Sequence, residues 1–394
     1  MTTDADSFSI EAYFPNYYAE GGVALTMSSI LGSMANSSID VRANVLACEG
    51  GPRPAFIRPL MHRRVYRWMK PWIKNPGERL LKASQGRLRP FDVAYMWLQS
   101  PEPICAVLKS RDVLVVREMI NSTQERRRDE LADAYRTFGS GESGITDEII
   151  DSERRQIFAS DFVFCPNPFV KESVVAYGYP AERCIATSYG WSQRRLSGTT
   201  TLLNPDDTFT VVFVGTVDIR KGAPVLLEAW AKSKVKGRLL LAGAISPEVG
   251  EKYAAILQRD DVKCLGYVTD IGPVYRSASV FCLPTWEEGG PQVTLEAMSQ
   301  GVVPIVTPMG TAGAFTANED VGVVVPAGDV DGFAEALRRL EQDTRYRQAL
   351  QSACRVRAQQ YEWSQVGAQR RSALIEHRAR WLASGAVPRA AAGH

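Results

Sequence analysis

The chain has 394 residues, 45% of them hydrophobic and 23% charged, and a formal net charge of +2 at pH 7. This length is more than one ordinary hydrophobic core uses and predicts two domains of roughly 150–200 residues, while the near-neutral charge gives no indication of a general nucleic-acid role. Seven scattered cysteines without a CxxC pair argue against a disulfide framework or a zinc site and favour a reducing cytoplasm.

Strands and helices are predicted to alternate along the first half of the chain. Residues 8–14 alternate apolar and polar side chains, as a strand does, and a glycine-containing loop follows them. A helix over about 23–35 and a strand over 41–48 come next, an order typical of a parallel βαβ unit. Further buried strands are predicted at 112–116 and 161–165, with a long polar helical stretch between them from about 123 to 158.

A second alternation of strands and helices follows residues 197–207, which have the composition of a linker. Strands are predicted at 208–215, 237–243, 262–268, 279–285, 302–307 and 322–329. Helices are predicted at 223–233, at about 248–258, between the strands 262–268 and 279–285, and at 292–299, 331–358 and 362–383.

These elements predict an α/β protein of two doubly wound, Rossmann-like domains that face each other across a cleft. The domains are expected at 1–203 and 204–360, with a C-terminal helix in 361–394 that packs back toward the N-terminal domain. Because ligands of open parallel sheets bind beyond the carboxyl ends of the strands, site residues are expected in the loops that follow them.

One such loop, WEEGGPQ, precedes the helix predicted at 292–299. Pro291 suits the first helical position, where a missing N–H costs nothing, and Gly301 suits the position just after the helix. The N-terminus of this helix predicts an anion site, because its backbone N–H groups are unpaired and its dipole is positive there. The N–H groups of Gly290, Gln292 and Val293 would face the anion, and Gly289 and Pro291 are predicted to belong to the same substrate-binding loop.

Two carboxylates flank this predicted anion site. Glu288 comes just before the helix and Glu296 lies within it. Carboxylates beside an anion are repulsive unless they bind neutral hydroxyl groups, so we expect polyhydroxylated groups on either side of a bound diphosphate. A sugar on one side and a ribose on the other fit this pattern.

Two further strand-to-helix turns predict contacts to the same kind of ligand. Arg220 and Lys221 stand in the loop after strand 208–215, where two cations can neutralise a diphosphate leaving group. In the first domain, Gly21 and Gly22 allow close backbone approach at its first turn. Each feature alone is better explained by an ordinary turn or a solvated surface charge, but their concurrence at equivalent ends of two sheets indicates a binding site.

These motifs resemble those of a known enzyme family. Glu288, seven residues and Glu296, within EGGP…LEAM…GVVPIVT and preceded by FVG…RKG…LLEAW, are similar to the retaining glycosyltransferases of family 4, the group 1 glycosyltransferases of GT-B fold. The resemblance covers about 208–330 nearly continuously. In the first domain it rests on the Gly-Gly loop and on ASDFVFCPNPFVKESVVAYGYPAERC, residues 159–184.

The resemblance implies that a sugar, of the hexosyl type, moves from a nucleoside-diphosphate sugar with retained anomeric configuration and without an obligatory metal or other cofactor. The first domain would bind the acceptor and the second the donor. Glu296 would bind the ribose hydroxyls, Glu288 the donor sugar near its reacting carbon, and Arg220 and Lys221 the diphosphate. The backbone near Val268 would meet the base.

The chain departs from the family pattern at two places. Thr216 stands where the family often has an arginine after its FVG strand, so Arg220 is expected to compensate. Many members carry a histidine near the sugar in the first domain, whereas residues 115–122 contain none. Glu118 or Asn121 is a candidate for that place, and a structural role for both is the equal alternative.

Several functional alternatives stay open at this stage. Front-face attack and double displacement through a carboxylate nucleophile both give retention. A non-catalytic nucleotide- or sugar-binding scaffold, and another GT-B enzyme such as a nucleotide-sugar epimerase, are the alternatives to transfer. Intact Glu288, Glu296, Arg220 and Lys221 argue against the scaffold.

A basic segment suggests where the acceptor lies. Residues 52–90 contain eleven Lys or Arg and one acid, and 62–74 interleave basic residues with tyrosine and tryptophan. A solvated basic face and peripheral contact with an anionic membrane are comparable explanations, and nucleic-acid binding is the weakest of three. With neither a signal peptide nor a membrane span apparent, we expect a cytoplasmic enzyme, peripheral on the inner face of the cell membrane, that acts on a glycan or lipid-linked acceptor in surface polysaccharide or glycoconjugate synthesis.

Overall fold

The computed structural model describes residues 7–384 apart from 20, 52, 74–75, 86–90, 101, 140, 199–207 and 316–320. It contains two compact units. The first comprises Met1–Ile120, Thr146–Thr187 and Trp363–His394, and the second comprises Asn121–Ile145 and Ser188–Glu362. The predicted linker at 197–207 and the predicted boundary at 203/204 fall almost wholly outside the described residues.

The first unit is built on a parallel sheet of seven strands in the order β3-β2-β1-β4-β5-β6-β7. The strands are β1 (Phe8–Tyr18), β2 (Ile39–Cys48), β3 (Ile57–Pro59), β4 (Val93–Met96), β5 (Leu114–Glu118), β6 (Phe162–Cys165) and β7 (Cys184–Ala186). Ile10 of β1 pairs with Val41 on one side and Val93 on the other. The predicted βαβ unit at the start of the chain is therefore confirmed.

The second unit is built on a parallel sheet of six strands in the order β10-β9-β8-β11-β12-β13. The strands are β8 (Thr210–Val214), β9 (Arg238–Ala242), β10 (Val262–Gly266), β11 (Val280–Leu283), β12 (Val303–Val306) and β13 (Val323–Val324). The central strand β8 is buried along its whole length. Its continuous apolar run is typical of a parallel strand covered on both faces.

Helices connect the strands in both units. They are α1 (Gly22–Met34), α2 (Arg63–Met69), α3 (Pro76–Gln85), α4 (Glu102–Lys109), α5 (Gln124–Phe138), α6 (Asp147–Phe158), α7 (Pro168–Ala176), α8 (Gln193–Leu196), α9 (Ala223–Ser233), α10 (Pro247–Lys252), α11 (Ala254–Leu257), α12 (Gly272–Arg276), α13 (Gln292–Ser299), α14 (Val330–Gln342), α15 (Thr344–Ala358) and α16 (Trp363–Ala383). Short 3₁₀ turns occur at Lys70–Trp72, Ala181–Arg183, Pro308–Thr311 and Gln359–Tyr361. In the part of the chain that the structure describes, no helix combines the length and the apolar character that a bilayer span requires.

The predicted α/β class with two doubly wound Rossmann-like sheets is confirmed. Two segments belong to a different unit from the residues that precede them in the chain. Residues Asn121–Ile145, including α5, belong to the second unit although they follow β5 of the first. The C-terminal helix α16 belongs to the first unit, where it packs against α1.

Three predicted helices are each divided in two. The stretch 123–158 forms α5 and α6, separated by a loop that contains three glycines, residues that disfavour helix. The stretch 331–358 forms α14 and α15, because Asp343 begins a new helix by accepting a hydrogen bond from the Tyr346 N–H at 2.8 Å. The stretch 248–258 forms α10 and α11, which meet at Tyr253.

Candidate functional site

Two loops of the second unit meet where β8 and β11 end. These strands are parallel neighbours, so their carboxyl ends lie at the same edge of the sheet. Gly222 has a φ of +70°, and a Cβ there would lie 1.9 Å from the Pro284 carbonyl oxygen. The Trp286 N–H donates to the Arg220 carbonyl at 2.9 Å. Only glycine at 222 allows the cationic loop after β8 to approach the acidic loop after β11 this closely.

The side chains of these two loops form an ion-paired cluster around Glu288. Lys221 Nζ and Arg220 NH1 both bind Oε1 of Glu288, the arginine at 3.3 Å. Burial by itself raises the pKa of the Glu288 carboxyl, but the charges of Lys221 and Arg220 outweigh burial and hold that pKa below its ordinary value. Glu288 is therefore an anion at neutral pH, and the structure brings together all three residues that the sequence predicted to be catalytic.

Glu296 lies on α13 and is 3% exposed. Its Oε1 accepts from Arg195 Nε at 2.8 Å, and its Oε2 accepts from the Tyr275 hydroxyl at 3.1 Å. Burial raises the pKa of the Glu296 carboxyl, and Arg195 and Tyr275 only partly offset that rise. Arg195 comes from α8, which the sequence did not predict, so this partner was missed.

Glu287 is a second residue whose importance the sequence did not reveal. Its side chain is fully buried. The amide nitrogen of Asn121 donates to both of its carboxylate oxygens at 2.8 Å, the Ser122 N–H donates at 3.3 Å and Arg127 Nε at 3.2 Å. Asn121, a candidate for the family's histidine position, is therefore held next to the residue that precedes Glu288.

The helix that follows this loop begins close to the predicted position. Pro291 is the N-cap of α13, with an extended ψ of 99°, and not its first helical residue, while the helix itself spans Gln292–Ser299 as predicted. Gly301 has the expected left-handed φ of +73° after the helix. The N-cap residue Pro291 makes no side-chain capping hydrogen bond, and the Glu288 carboxylate just before it binds Lys221 and Arg220.

Glycine has a packing function at position 290. A Cβ there would lie 2.8 Å from the ring of Tyr189, so the loop can pass the tyrosine only without a side chain. The neighbouring Gly289 is buried, and Gln292 and Val293 are half-buried.

Two further predicted residues of the second unit lie at the ends of strands. Thr216 is exposed, in the loop that follows β8. Val268 is half-buried, two residues beyond the end of β10, and follows the exposed Tyr267.

The remaining predicted residues belong to the first unit. Gly21 is the extended N-cap of α1, and Gly22 begins that helix with a left-handed φ of +53°. Glu118 is fully buried: Arg370 NH1 and NH2 bind its two oxygens at 3.0 and 3.1 Å, and the Tyr95 hydroxyl donates to it at 2.5 Å. This geometry gives Glu118 the surroundings of a structural ion pair.

Comparison with known proteins gives a family match for the second unit. Residues 208–343 match the family model described as glycosyl transferases group 1. A phosphatidyl-myo-inositol mannosyltransferase of Mycolicibacterium smegmatis is 32% identical over 174 residues, which are 42% of this chain and 44% of that protein. The chain thus matches less than half the length of this curated relative. Other relatives are named as glycosyltransferases of capsular polysaccharide, O-antigen and lipopolysaccharide core synthesis.

Solved structures match both units together. A sucrose-phosphate synthase from Thermosynechococcus elongatus aligns with a TM-score of 0.72 and 16% identity over 95% of this chain and all of that one. HepE from Anabaena, solved with UDP and glucose, aligns with a TM-score of 0.67 and 12% identity over 94% of this chain and all of that one. Likeness at this identity establishes the fold, which is GT-B. The resemblance predicted from the motifs is confirmed: residues 208–343 of this chain match the group 1 glycosyltransferases.

Proposed function

We propose that the protein is a retaining glycosyltransferase that moves a hexosyl group from a nucleoside-diphosphate sugar to a glycan or lipid-linked acceptor in surface polysaccharide or glycoconjugate synthesis. The observation that carries the proposal is the cluster of Lys221, Arg220 and Glu288 at the end of β8 and β11, followed by Glu296 on α13. Relatives named for polysaccharide and glycolipid synthesis support the acceptor class. The neighbours solved with UDP and UDP-glucose support the donor class.

The cluster has the chemistry that departure of a diphosphate requires. As the bond between the anomeric carbon and the diphosphate oxygen breaks, negative charge develops on the departing oxygen. Lys221 and Arg220 neutralise that charge. One well-placed donor of this kind lowers the activation free energy by on the order of 3 kcal/mol. When a diphosphate binds Lys221 and Arg220, the Glu288 carboxylate no longer pairs with them. It can then accept hydrogen bonds from the sugar hydroxyls and stabilise positive charge at the anomeric carbon.

Product analysis tests this proposal. The purified protein is incubated with UDP-, GDP- and ADP-sugars and a panel of glycan and lipid-linked acceptors, with and without a chelator. We expect transfer from one class of donor, retained configuration at the anomeric carbon by NMR, and no loss of turnover with the chelator. An epimerised donor sugar without transfer would identify an epimerase instead, and donor binding without any product would identify a scaffold.

We also propose that the basic segment contacts an anionic membrane surface. Trp68 and Trp72 are 76% and 71% exposed, in and just after α2. Within the described residues, Arg67 pairs with Glu49 at 3.5 Å, whereas Arg63, Arg64 and Lys70 have no acidic partner there. Exposed tryptophans beside unneutralised cations fit the headgroup region, where each basic residue contributes roughly 1 kcal/mol.

Vesicle sedimentation tests the membrane contact. We expect salt-sensitive binding to vesicles that contain phosphatidylglycerol and none to pure phosphatidylcholine, because charge screening weakens the attraction. Replacement of Arg63, Arg64, Arg67 and Lys70 with serine should abolish binding. The matched control replaces four exposed cations of the second unit, Lys234, Lys236, Lys263 and Arg345, and should still bind. Equal sedimentation of both variants would refute the contact.

A further inference from the structure

The carboxylate of Glu287 is fully buried and binds several donors of one segment of the chain. It is 0% exposed, and its donors are the Asn121 amide, the Ser122 N–H and Arg127 Nε, with Arg220 NH1 at 3.7 Å. A buried carboxylate is costly to fold, and apolar groups of the same volume usually fill such a place at least as well. In this protein the charge binds three donors of one short segment, Asn121, Ser122 and Arg127.

The partners of Glu287 come from a segment that is fixed at its far end as well. Residues 121–127 lead into α5, whose Ala134 and Phe138 are part of the buried apolar core of the second unit. The Phe138 carbonyl accepts from Lys252 Nζ at 2.8 Å, and its ring lies edge-on to Trp286 at 6.2 Å. Anchored at Glu287 and at Phe138, this segment holds Asn121 and Ser122 in one place relative to the loop after β11.

That place adjoins the Glu288 cluster. The backbone carbonyl of Glu287 accepts from Arg220 NH1 at 3.0 Å, and the same guanidinium binds Glu288. The Ser122 side chain is 1% exposed, and its Oγ has no hydrogen-bond partner among the described residues. A buried hydroxyl of this kind normally has a partner, so Ser122 offers a donor and an acceptor to a ligand group beside the cluster.

We propose that Glu287 is a positioning residue that holds Asn121 and Ser122 beside Glu288 as a subsite for neutral hydroxyl groups of the transferred sugar. The inference rests on the proposed function, because it assigns this subsite to the sugar of the donor. A carboxamide and a hydroxyl each donate and accept, which suits a sugar hydroxyl that does both. Arg127 balances the charge of Glu287, so the subsite itself is neutral and does not compete for the diphosphate.

The test measures the increment in affinity that the sugar provides. Kd is determined by calorimetry, without acceptor, for UDP and UDP-glucose and for GDP and GDP-mannose, and the pair that the wild type binds is used for every variant. Glu287→Gln, Asn121→Ala and Ser122→Ala should leave the Kd of the nucleoside diphosphate within about threefold of wild type and weaken the nucleotide sugar about tenfold. Arg126→Ala on α5, which removes the ion pair of Arg126 with Glu130, is the matched control and should change neither Kd.

A double-mutant cycle separates positioning from general structural damage. Glu287→Gln combined with Asn121→Ala should weaken the nucleotide sugar little more than either change alone, because the glutamate acts through the asparagine. The inference would be overturned if the two changes multiplied their effects on the Kd of the nucleotide sugar, or if the nucleoside diphosphate and the nucleotide sugar lost affinity in parallel. It would also be overturned if the variants left both Kd values unchanged, or if the wild type bound neither pair of ligands. If the wild type transfers no sugar but the affinities change as expected, the proposed function fails and the subsite stands.

Discussion

Removing one partner of the Glu118–Arg370 pair should destabilise the protein strongly. Both side chains are 0% exposed, and the arginine forms two parallel bonds to the carboxylate, at 3.0 and 3.1 Å. The Tyr95 hydroxyl adds a third bond. Glu118→Leu leaves a guanidinium buried without its anion, and Arg370→Leu leaves a buried carboxylate without its cation. The expected loss is about 3–5 kcal/mol for each change.

The double variant distinguishes a lost ion pair from a generally damaged core. With both groups replaced by leucine, no charge is left uncompensated, so Glu118→Leu/Arg370→Leu should be more stable than either single variant. Urea denaturation followed by circular dichroism measures each free energy of unfolding. Arg371→Leu is the control on the same helix; the Arg371 side chain donates to the Met34 carbonyl at 3.4 Å, and its replacement should cost within about 0.5 kcal/mol.

The same variants decide whether Glu118 belongs to the substrate site, as the sequence allowed. A structural pair predicts an unchanged Kd for the nucleoside diphosphate in any variant that is still folded. Losses below about 1 kcal/mol, or additive losses in the double variant, would refute the buried-pair reasoning. A stable Glu118→Leu protein with normal nucleotide affinity but no turnover would show that Glu118 belongs to the substrate site.

Three further predictions concern the cluster and its neighbouring helix. Lys221→Ala and Arg220→Ala should each lower kcat/KM by about 10²-fold, because both cations serve the leaving group; losses below threefold in steady-state assays would make them surface charges. Glu288→Gln should lower kcat strongly and change the nucleotide Kd little, and a destabilised but fully active variant would contradict its catalytic role. Glu296→Gln should weaken nucleotide binding in calorimetry yet raise Tm at pH 7, because burial raises the pKa of this carboxyl and its ionised form is costly in the folded state. The gain in Tm should shrink as pH falls toward 4.5, where the wild-type carboxyl binds a proton; a lower Tm at pH 7 would mean that the ion pair with Arg195 outweighs burial.

The long elements of the fold could be predicted because their apolar patterns extend over many residues. Continuous runs such as TVVFV in β8 and RLLLA in β9 are typical of buried parallel strands. The strands β6, β11 and β12 have four residues each and were predicted, so length alone does not explain why β3, β4 and β7, of three or four residues, were missed. They are strands because a neighbouring strand supplies their hydrogen bonds, which is a tertiary property.

The position of the site could also be predicted, but the pairing within it could not. Loops that follow neighbouring parallel strands meet at one edge of the sheet. Because β8 and β11 are such neighbours, Lys221 lies near Glu288. The partner of Glu296 is different, because Arg195 lies on a four-residue helix that Arg276 holds in place through the Leu196 carbonyl at 2.7 Å. No local pattern marks so short a helix, so the sequence predicted the carboxylate and missed its cation.

Glu287 and Glu288 show why adjacent acids of one type can have different functions. One carboxylate of the pair is fully buried, and the other binds Lys221. The buried one is defined by Asn121 and Arg127, which lie 166 and 160 residues away in the chain. Folding of α5 onto the second unit provides these donors, and without it the buried Glu287 would keep only the guanidinium of Arg220, at 3.7 Å, as a cationic partner. The function of each acid is therefore determined by the distant segment that contacts it. The sequence of the loop alone cannot predict that contact.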